Sequence, residues 1–130
     1  MRDYSKKTLF APSRAPSHRR LKVGEEVRHI LSSLLLHAKL PEPGLPVSVT
    51  ITQVQMSPDL QIATLFVMPL GGQMREETLA HLSELAGYLR HQLGKRLSLK
   101  FTPSLRFRID ESFDEAERIE KLLNSIAEKN

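Results

Sequence analysis

The first clear hydrophobic pattern along the chain predicts an amphipathic helix. From residue 21 onward, apolar residues recur at steps of three and four, which places them on one face of a helix. They are Val23, Val27, Ile30, Leu31, Leu34, Leu35 and Ala38. The helix is expected to end before the Pro-rich turn at 41–44. Residues 1–18 are rich in Ser, Pro, Lys and Arg and have no apolar period, so they predict a flexible basic tail.

The pattern that follows predicts a β-hairpin. Apolar and polar residues alternate over 47–52, as in a half-buried strand. The apolar phase then shifts to Val54 and Met56, which predicts a β-bulge near residues 52–53. Ser57-Pro58-Asp59 supplies the turn, and a second strand is expected from Leu60 to Met68.

The segment from Met74 to Gly94 predicts a helix interrupted by a glycine. Leu79, Leu82 and Leu85 have helical spacing, and the pattern resumes after Gly87. A glycine inside a helix costs about 1 kcal/mol relative to alanine. We therefore predict two helices joined by a kink at Leu85-Ala86-Gly87.

The last third of the chain predicts a strand and a helix. Apolar and polar residues alternate strictly from Leu97 to Ile109, with Phe101 on the apolar face, and Pro103 marks a bulge or an edge strand. Asp110 and Ser112 offer N-caps for a final helix. The side chains expected to face inward from that helix are Phe113, Ala116, Ile119, Leu122, Leu123 and Ile126.

The resulting element order is α-β-β-α-kink-α-β-α. It predicts one α+β domain over residues 19–127, with a three-stranded sheet, helices packed on one face, and a short disordered C-terminus at 128–130.

Charge is distributed in blocks rather than evenly. The net charge of +4 is made up of +5 in residues 1–28, −3 in 29–84, +6 in 85–108 and −4 in 109–130. Residues 85–108 contain six Lys or Arg and no Asp or Glu. Two basic blocks can form one surface for an anionic partner, and RNA or DNA fits better than a membrane because no cationic helix has a bulky aromatic face.

The sequence offers little catalytic or metal-binding chemistry. There are no cysteines, which excludes disulfides and suits a reducing cytosol. The five histidines form no His-Glu-x-x-His motif, and Gly71-Gly72 lacks the rest of a phosphate-binding loop. We therefore expect no enzyme activity, no metal and no cofactor. No apolar run approaches the roughly 20 residues that span a bilayer.

The element order matches KH domains of the type II topology, in which a Gly-x-x-Gly loop normally contacts nucleic acid. This chain has no such loop and has Leu85-Ala86-Gly87 instead. From residue 19 to 123 it closely resembles the ribosome-binding factor A family, KH-like proteins with an Ala-x-Gly kink; Leu85 departs from that alanine. Further matching segments are Glu25-Glu26-Val27, Val49 to Val54, Ser57 to Leu60, Gly87 to Arg90, Leu93-Gly94-Lys95, and the Pro103-x-Leu105-x-Phe107-x-x-Asp110-x-Ser112 region.

The resemblance implies a non-enzymatic, monomeric, cytoplasmic assembly factor that supports growth in the cold. It implies binding to the free 30S subunit, promotion of late 16S rRNA maturation near the 5′ helix and the decoding region, and release with an assembly GTPase. Two alternatives stay open, namely a KH-type binder of other RNA and a protein-binding adaptor. The candidate RNA-binding residues are Arg19, Arg20, Lys22, Arg28, Leu85, Ala86, Gly87, Arg90, His91, Lys95, Arg96, Lys100, Arg106 and Arg108.

Overall fold

A computed structural model describes residues 16–129 of the protein, except for the side chains of residues 113, 128 and 129. It contains three helices and a three-stranded mixed sheet, which confirms the predicted α+β class. The elements are α1 (His18–His37), β1 (Val49–Met56), β2 (Ile62–Pro69), a short 3₁₀ turn (Leu70–Gly72), α2 (Arg75–Gly94), β3 (Ser104–Ile109) and α3 (Ser112–Lys129).

The first helix begins, and the last helix ends, slightly outside the predicted bounds of the domain. Most of the predicted basic tail, residues 1–15, lies outside the described residues. Helix α1 begins at His18, one residue inside that tail, because the Ser17 side chain accepts a hydrogen bond from the Arg20 amide and caps the helix. At the other end, α3 continues through Lys129, so residues 128 and 129 are helical rather than disordered.

The sheet has the order β1-β2-β3 and combines both kinds of pairing. β1 and β2 form the predicted antiparallel hairpin, and their register shifts between Ile51 and Gln53, which confirms the predicted bulge. β2 and β3 pair in parallel, with Ile62 opposite Ser104 and Val67 opposite Ile109. Because β3 pairs on one side, it is an edge strand.

The hydrophobic core lies between the sheet and the first two helices. Helix α1 packs mainly on β1, and α2 packs on β3 and β2. The apolar stripes of both helices and the inward residues of β2 belong to one core cluster. The core side chains with no solvent exposure are Val27, Leu31, Ala63, Leu65, Val67, Leu82 and Leu93.

The predicted division into two helices at Gly87 is wrong, because α2 runs without interruption from Arg75 to Gly94. The buried positions show why. Leu82, Leu85, Leu89 and Leu93 are spaced three, four and four residues apart, so the apolar stripe keeps its phase across the glycine. Burial of one continuous stripe outweighs the roughly 1 kcal/mol that glycine costs in a helix.

The predicted strand from Leu97 is correct only for its second half. β3 begins at Ser104, which lies opposite Ile62, the first residue of β2. Before Ile62 the chain turns, so residues 97–103 have no strand to pair with. They form an irregular segment instead, in which Leu97 and Pro103 are buried but Phe101 is 64% exposed.

Helix α3 forms where the sequence predicts it, but the expected inward packing of its apolar face is wrong. Ile119, Leu122, Leu123 and Ile126 are all 48–61% exposed. The sheet face that could have received this helix is already covered by α1 and α2. The start of α3 is held by an ion pair in which Arg75 donates to Asp114, at 2.6 and 2.9 Å.

Candidate nucleic-acid interface

The C-terminal half of α2 and the segment after it line an open groove of ≈ 560 Å³. Four of the candidate basic or histidine side chains line it. The lining residues are Gly87, Arg90, His91, Gly94, Lys95, Lys100, Phe101 and Thr102. No carboxylate is among them, so the groove is suited to an anion such as a phosphate backbone.

Residues 97–103 are held against α2 by two contacts that define one wall of the groove. The Arg90 guanidinium donates to the carbonyl of Thr102, at 2.9 Å from Nη2, and to that of Pro103, at 3.3 Å from Nε. Gly94 permits the second contact, since a Cβ there would lie 2.7 Å from Thr102 Oγ1. Arg90 therefore combines a positive charge with a structural role.

Lys95 and Arg96, just beyond the end of α2, have a different environment. Both are exposed and make no side-chain hydrogen bond or ion pair within the part of the chain that the structure describes. Their charges therefore face solvent, which makes them the clearest candidates for phosphate contacts on this surface. Lys95 lines the groove, whereas Arg96, the next residue along the chain, is not among the lining residues.

Arg106 and Arg108 lie on a different face of the molecule from the groove. They are exposed residues of β3 on the side of the sheet opposite α1 and α2, and the Arg108 guanidinium lies 6.0 Å from the Phe66 ring centroid. The alternation in the sequence placed them correctly on the polar side of the strand. Ser104, the first residue of β3, lines a smaller groove with Arg90 and Phe101, so the two basic areas meet there.

The candidate residues of α1 differ in the contacts that they make within residues 16–129. Arg19 and Lys22 are exposed, and Arg19 lines a small groove with Lys100 and Phe101. Arg20 donates to the Met56 carbonyl from Nη2 at 2.7 Å and thus ties α1 to the end of β1.

Arg28 is paired within its own helix. It forms a bidentate ion pair with Glu25, in which Nη2 donates to Oε1 at 2.8 Å and Nε donates to Oε2 at 2.9 Å. The hydrogen bond from Arg28 lowers the pKa of Glu25 and raises that of Arg28. The positive charge of Arg28 is therefore offset locally, and it is the weakest of the α1 candidates.

Leu85 is not part of a surface, contrary to the prediction that grouped it with Ala86 and Gly87. Its side chain is 4% exposed and belongs to the core, because it continues the buried stripe of α2. Ala86 is half-buried, whereas Gly87 is exposed and faces the groove.

Sequence reasoning missed Phe101, which the strict alternation had assigned to the core. Pro103 was interpreted only as the mark of a bulge or an edge strand, although a residue that cannot donate to a strand also weakens the case for a strand through 97–103. Across residues 16–129, no cluster of three or more His, Cys, Asp or Glu side chains could hold a metal ion. In the same range, no helix is long and apolar enough to cross a membrane.

Comparison with known proteins places these features in a family. The sequence profile of ribosome-binding factor A matches residues 19–123. The chain is 48% identical over 112 residues to ribosome-binding factor A of Bradyrhizobium diazoefficiens, covering 85% of this chain and 78% of that protein. It is 43% identical over 122 residues to the protein of that name from Ruegeria pomeroyi, covering 93% of each.

Solved structures give the same result for the fold. A solution structure of a putative ribosome-binding factor A from Thermotoga maritima superposes with a TM-score of 0.59 at 28% identity, covering 73% of this chain and 90% of that one. A homology model of Thermus thermophilus ribosome-binding factor A, fitted into a cryo-EM map of a 30S–RbfA complex, gives a TM-score of 0.58 at 21% identity, covering 71% of this chain and 96% of that one. With a profile match over most of its length and relatives at this level of identity, the chain belongs to the ribosome-binding factor A family.

Proposed function

We propose that this protein binds the free small ribosomal subunit and promotes late maturation of its 16S rRNA. The observation that carries the proposal is the carboxylate-free basic groove at the end of α2, in a chain of the ribosome-binding factor A family. A family relative in complex with the 30S subunit supports the choice of partner.

The chemistry of the surface suits an assembly factor that must later leave. Contacts from Lys and Arg to phosphates are strong at low salt and fall as salt rises, because binding releases counterions. The exposed side chains of Lys95, Arg96 and Lys100 can make such contacts, and shape recognition of folded RNA adds to them.

We further propose that the protein acts as a cytoplasmic monomer without catalysis, near the 5′ helix of the 16S rRNA and the decoding region. In this proposal an assembly GTPase promotes its release.

The location of the protein in cell extracts tests the proposal. A tagged full-length protein should sediment on a low-salt sucrose gradient with free small subunits and be scarce on translating ribosomes. Deletion of its gene should leave unprocessed ends on 16S rRNA, most visibly in the cold. An equal distribution over free subunits, monosomes and polysomes, or normal 16S ends at low temperature, would count against it.

A protein-binding adaptor is the second candidate, and the exposed apolar face of α3 favours it. The two functions differ in their dependence on RNA. An adaptor would retain its partner in a pull-down after nuclease treatment, whereas a factor held by rRNA phosphates would lose the subunit.

A further inference from the structure

We propose that Phe101 is a stacking platform for an unpaired nucleobase of the RNA bound at the groove. This inference rests on the proposed function, because it concerns the same surface, and it adds the kind of RNA that the surface selects. Phe101 was not among the residues that the sequence assigned to RNA binding.

The exposure of Phe101 is the first observation behind the proposal. It is 64% exposed, whereas the other aromatic side chains that the structure describes, Phe66, Tyr88 and Phe107, are half-buried. Removing an aromatic ring from water favours folding. Phe101 does not contribute this burial free energy to folding, although its neighbours Leu97, Leu99 and Pro103 pack into or against the core.

The position of the ring is the second observation. Phe101 lines three neighbouring grooves at once: the basic groove with Lys95 and His91, the small groove with Arg19, and the groove with Arg90 and Ser104. The Lys100 ammonium lies 5.6 Å from the ring centroid. The ring therefore stands where the cationic side chains of Arg19 in α1, Arg90 in α2, and Lys95 and Lys100 in the segment after α2 converge.

The backbone beneath the ring is fixed, which a stacking platform requires. Arg90 holds the carbonyls of Thr102 and Pro103, and Gly94 lets Thr102 approach α2 closely. Pro103 is buried directly before β3. An exposed ring on a held backbone loses little conformational freedom when a base stacks on it.

The ligand that fits is an RNA nucleotide whose base is turned out of the double helix. The phosphates of the neighbouring nucleotides then remain within reach of the cationic side chains. Bases in a continuous duplex are stacked on each other and offer no face to Phe101, but an unpaired base at a bulge or junction does. The surface should therefore prefer RNA with an unpaired base to an uninterrupted stem of the same length.

Affinity for purified small subunits tests the role of the ring, using the full-length protein. Phe101→Ala should weaken binding by about 5- to 150-fold, the range typical of losing one base stack. Phe101→Trp should retain binding, and Phe101→Leu should behave like Phe101→Ala. Leu70→Ala is the matched control, because Leu70 is 69% exposed at the opposite end of β2, and it should bind like the wild type.

Two hairpins of identical stem, one with a single bulged 2-aminopurine, test the ligand class. The wild type should prefer the bulged hairpin and quench its fluorescence, and Phe101→Ala should lose both effects.

If Phe101→Ala binds subunits normally while Lys95→Ala with Arg96→Ala binds weakly, stacking is refuted and the proposed function stands. If Phe101→Leu binds as well as wild type, the contact is apolar rather than stacking. If wild-type protein does not bind subunits, the proposed function fails.

Discussion

Two glycines in helix α2 provide a sharp test of the structure, because the same substitution should have opposite effects on stability at each. At Gly87, a Cβ would meet nothing within 4 Å. Gly87→Ala should therefore gain helix propensity of about 0.5–1 kcal/mol, which raises the Tm by about 2–6 °C.

At Gly94, the available space reverses the sign. A Cβ would lie 2.7 Å from Thr102 Oγ1, which is 0.7 Å short of the 3.4 Å where ordinary contact begins. Relieving such an overlap moves residues 97–103 or rotates Thr102, at a cost of about 1–3 kcal/mol. This exceeds the gain in propensity, so Gly94→Ala should lower the Tm.

Chemical and thermal unfolding of four variants checks the reasoning: Gly87→Ala, Gly94→Ala, Thr102→Ala, and Gly94→Ala combined with Thr102→Ala. In a Thr102→Ala background the overlap disappears, so Gly94→Ala should become neutral or stabilising, which a double-mutant cycle measures. Gly87→Ala should also weaken binding to the small subunit despite its greater stability, since Gly87 faces the groove. Destabilisation by Gly87→Ala, or stabilisation by Gly94→Ala in the wild-type background, would refute this account of α2.

Three further predictions concern the rest of the fold. Thr78→Val should raise the unfolding free energy by about 1 kcal/mol in denaturant titrations, because the buried Thr78 hydroxyl has no hydrogen-bond partner among the described residues. Hydrogen bonds from Ser112 and Thr52 lower the pKa of Asp110 from 3.8; its contribution to stability is thus present above about pH 4 and lost as pH falls further. Asp110→Asn should therefore be less stable than wild type at pH 7, and the difference should shrink as the pH falls below about 4. Removal of residues 116–130 should change the Tm by only about 3 °C or less, since the described apolar side chains of α3 are exposed; a large loss would show that they are buried in solution.

The sequence predicts elements well where local pattern and tertiary packing agree. The hairpin and its bulge follow from the phase shift between Ile51 and Val54, and α1 follows from a stripe that the sheet does bury. The predicted division of α2 into two helices was wrong because a glycine indicates only its local cost in free energy, whereas the unbroken spacing of Leu82, Leu85 and Leu89 allows one continuous helix to bury its apolar stripe.

Other features depend on which strand or sheet face is available for packing, and the periodicity of the sequence does not reveal this. Residues 97–103 alternate like a strand, yet β2 has no residues left to pair with them. Helix α3 is amphipathic, but the helix-covered side of the sheet is already occupied. The charges of the candidate interface were visible in the sequence, whereas the placement of Arg106 on another face and the exposure of Phe101 required the fold.

The salt dependence of binding to purified 30S subunits tests the central claim most directly. Lys95→Ala with Arg96→Ala removes two charges from the proposed interface, and Arg118→Ala with Lys121→Ala removes two from α3, where both are paired with acidic neighbours. The first pair should weaken binding and make the slope of log K against log salt shallower by about one to two. The second pair should keep the wild-type affinity and slope. If both pairs match the wild type, or both reduce the slope equally, the groove at the end of α2 is not where this protein binds ribosomal RNA.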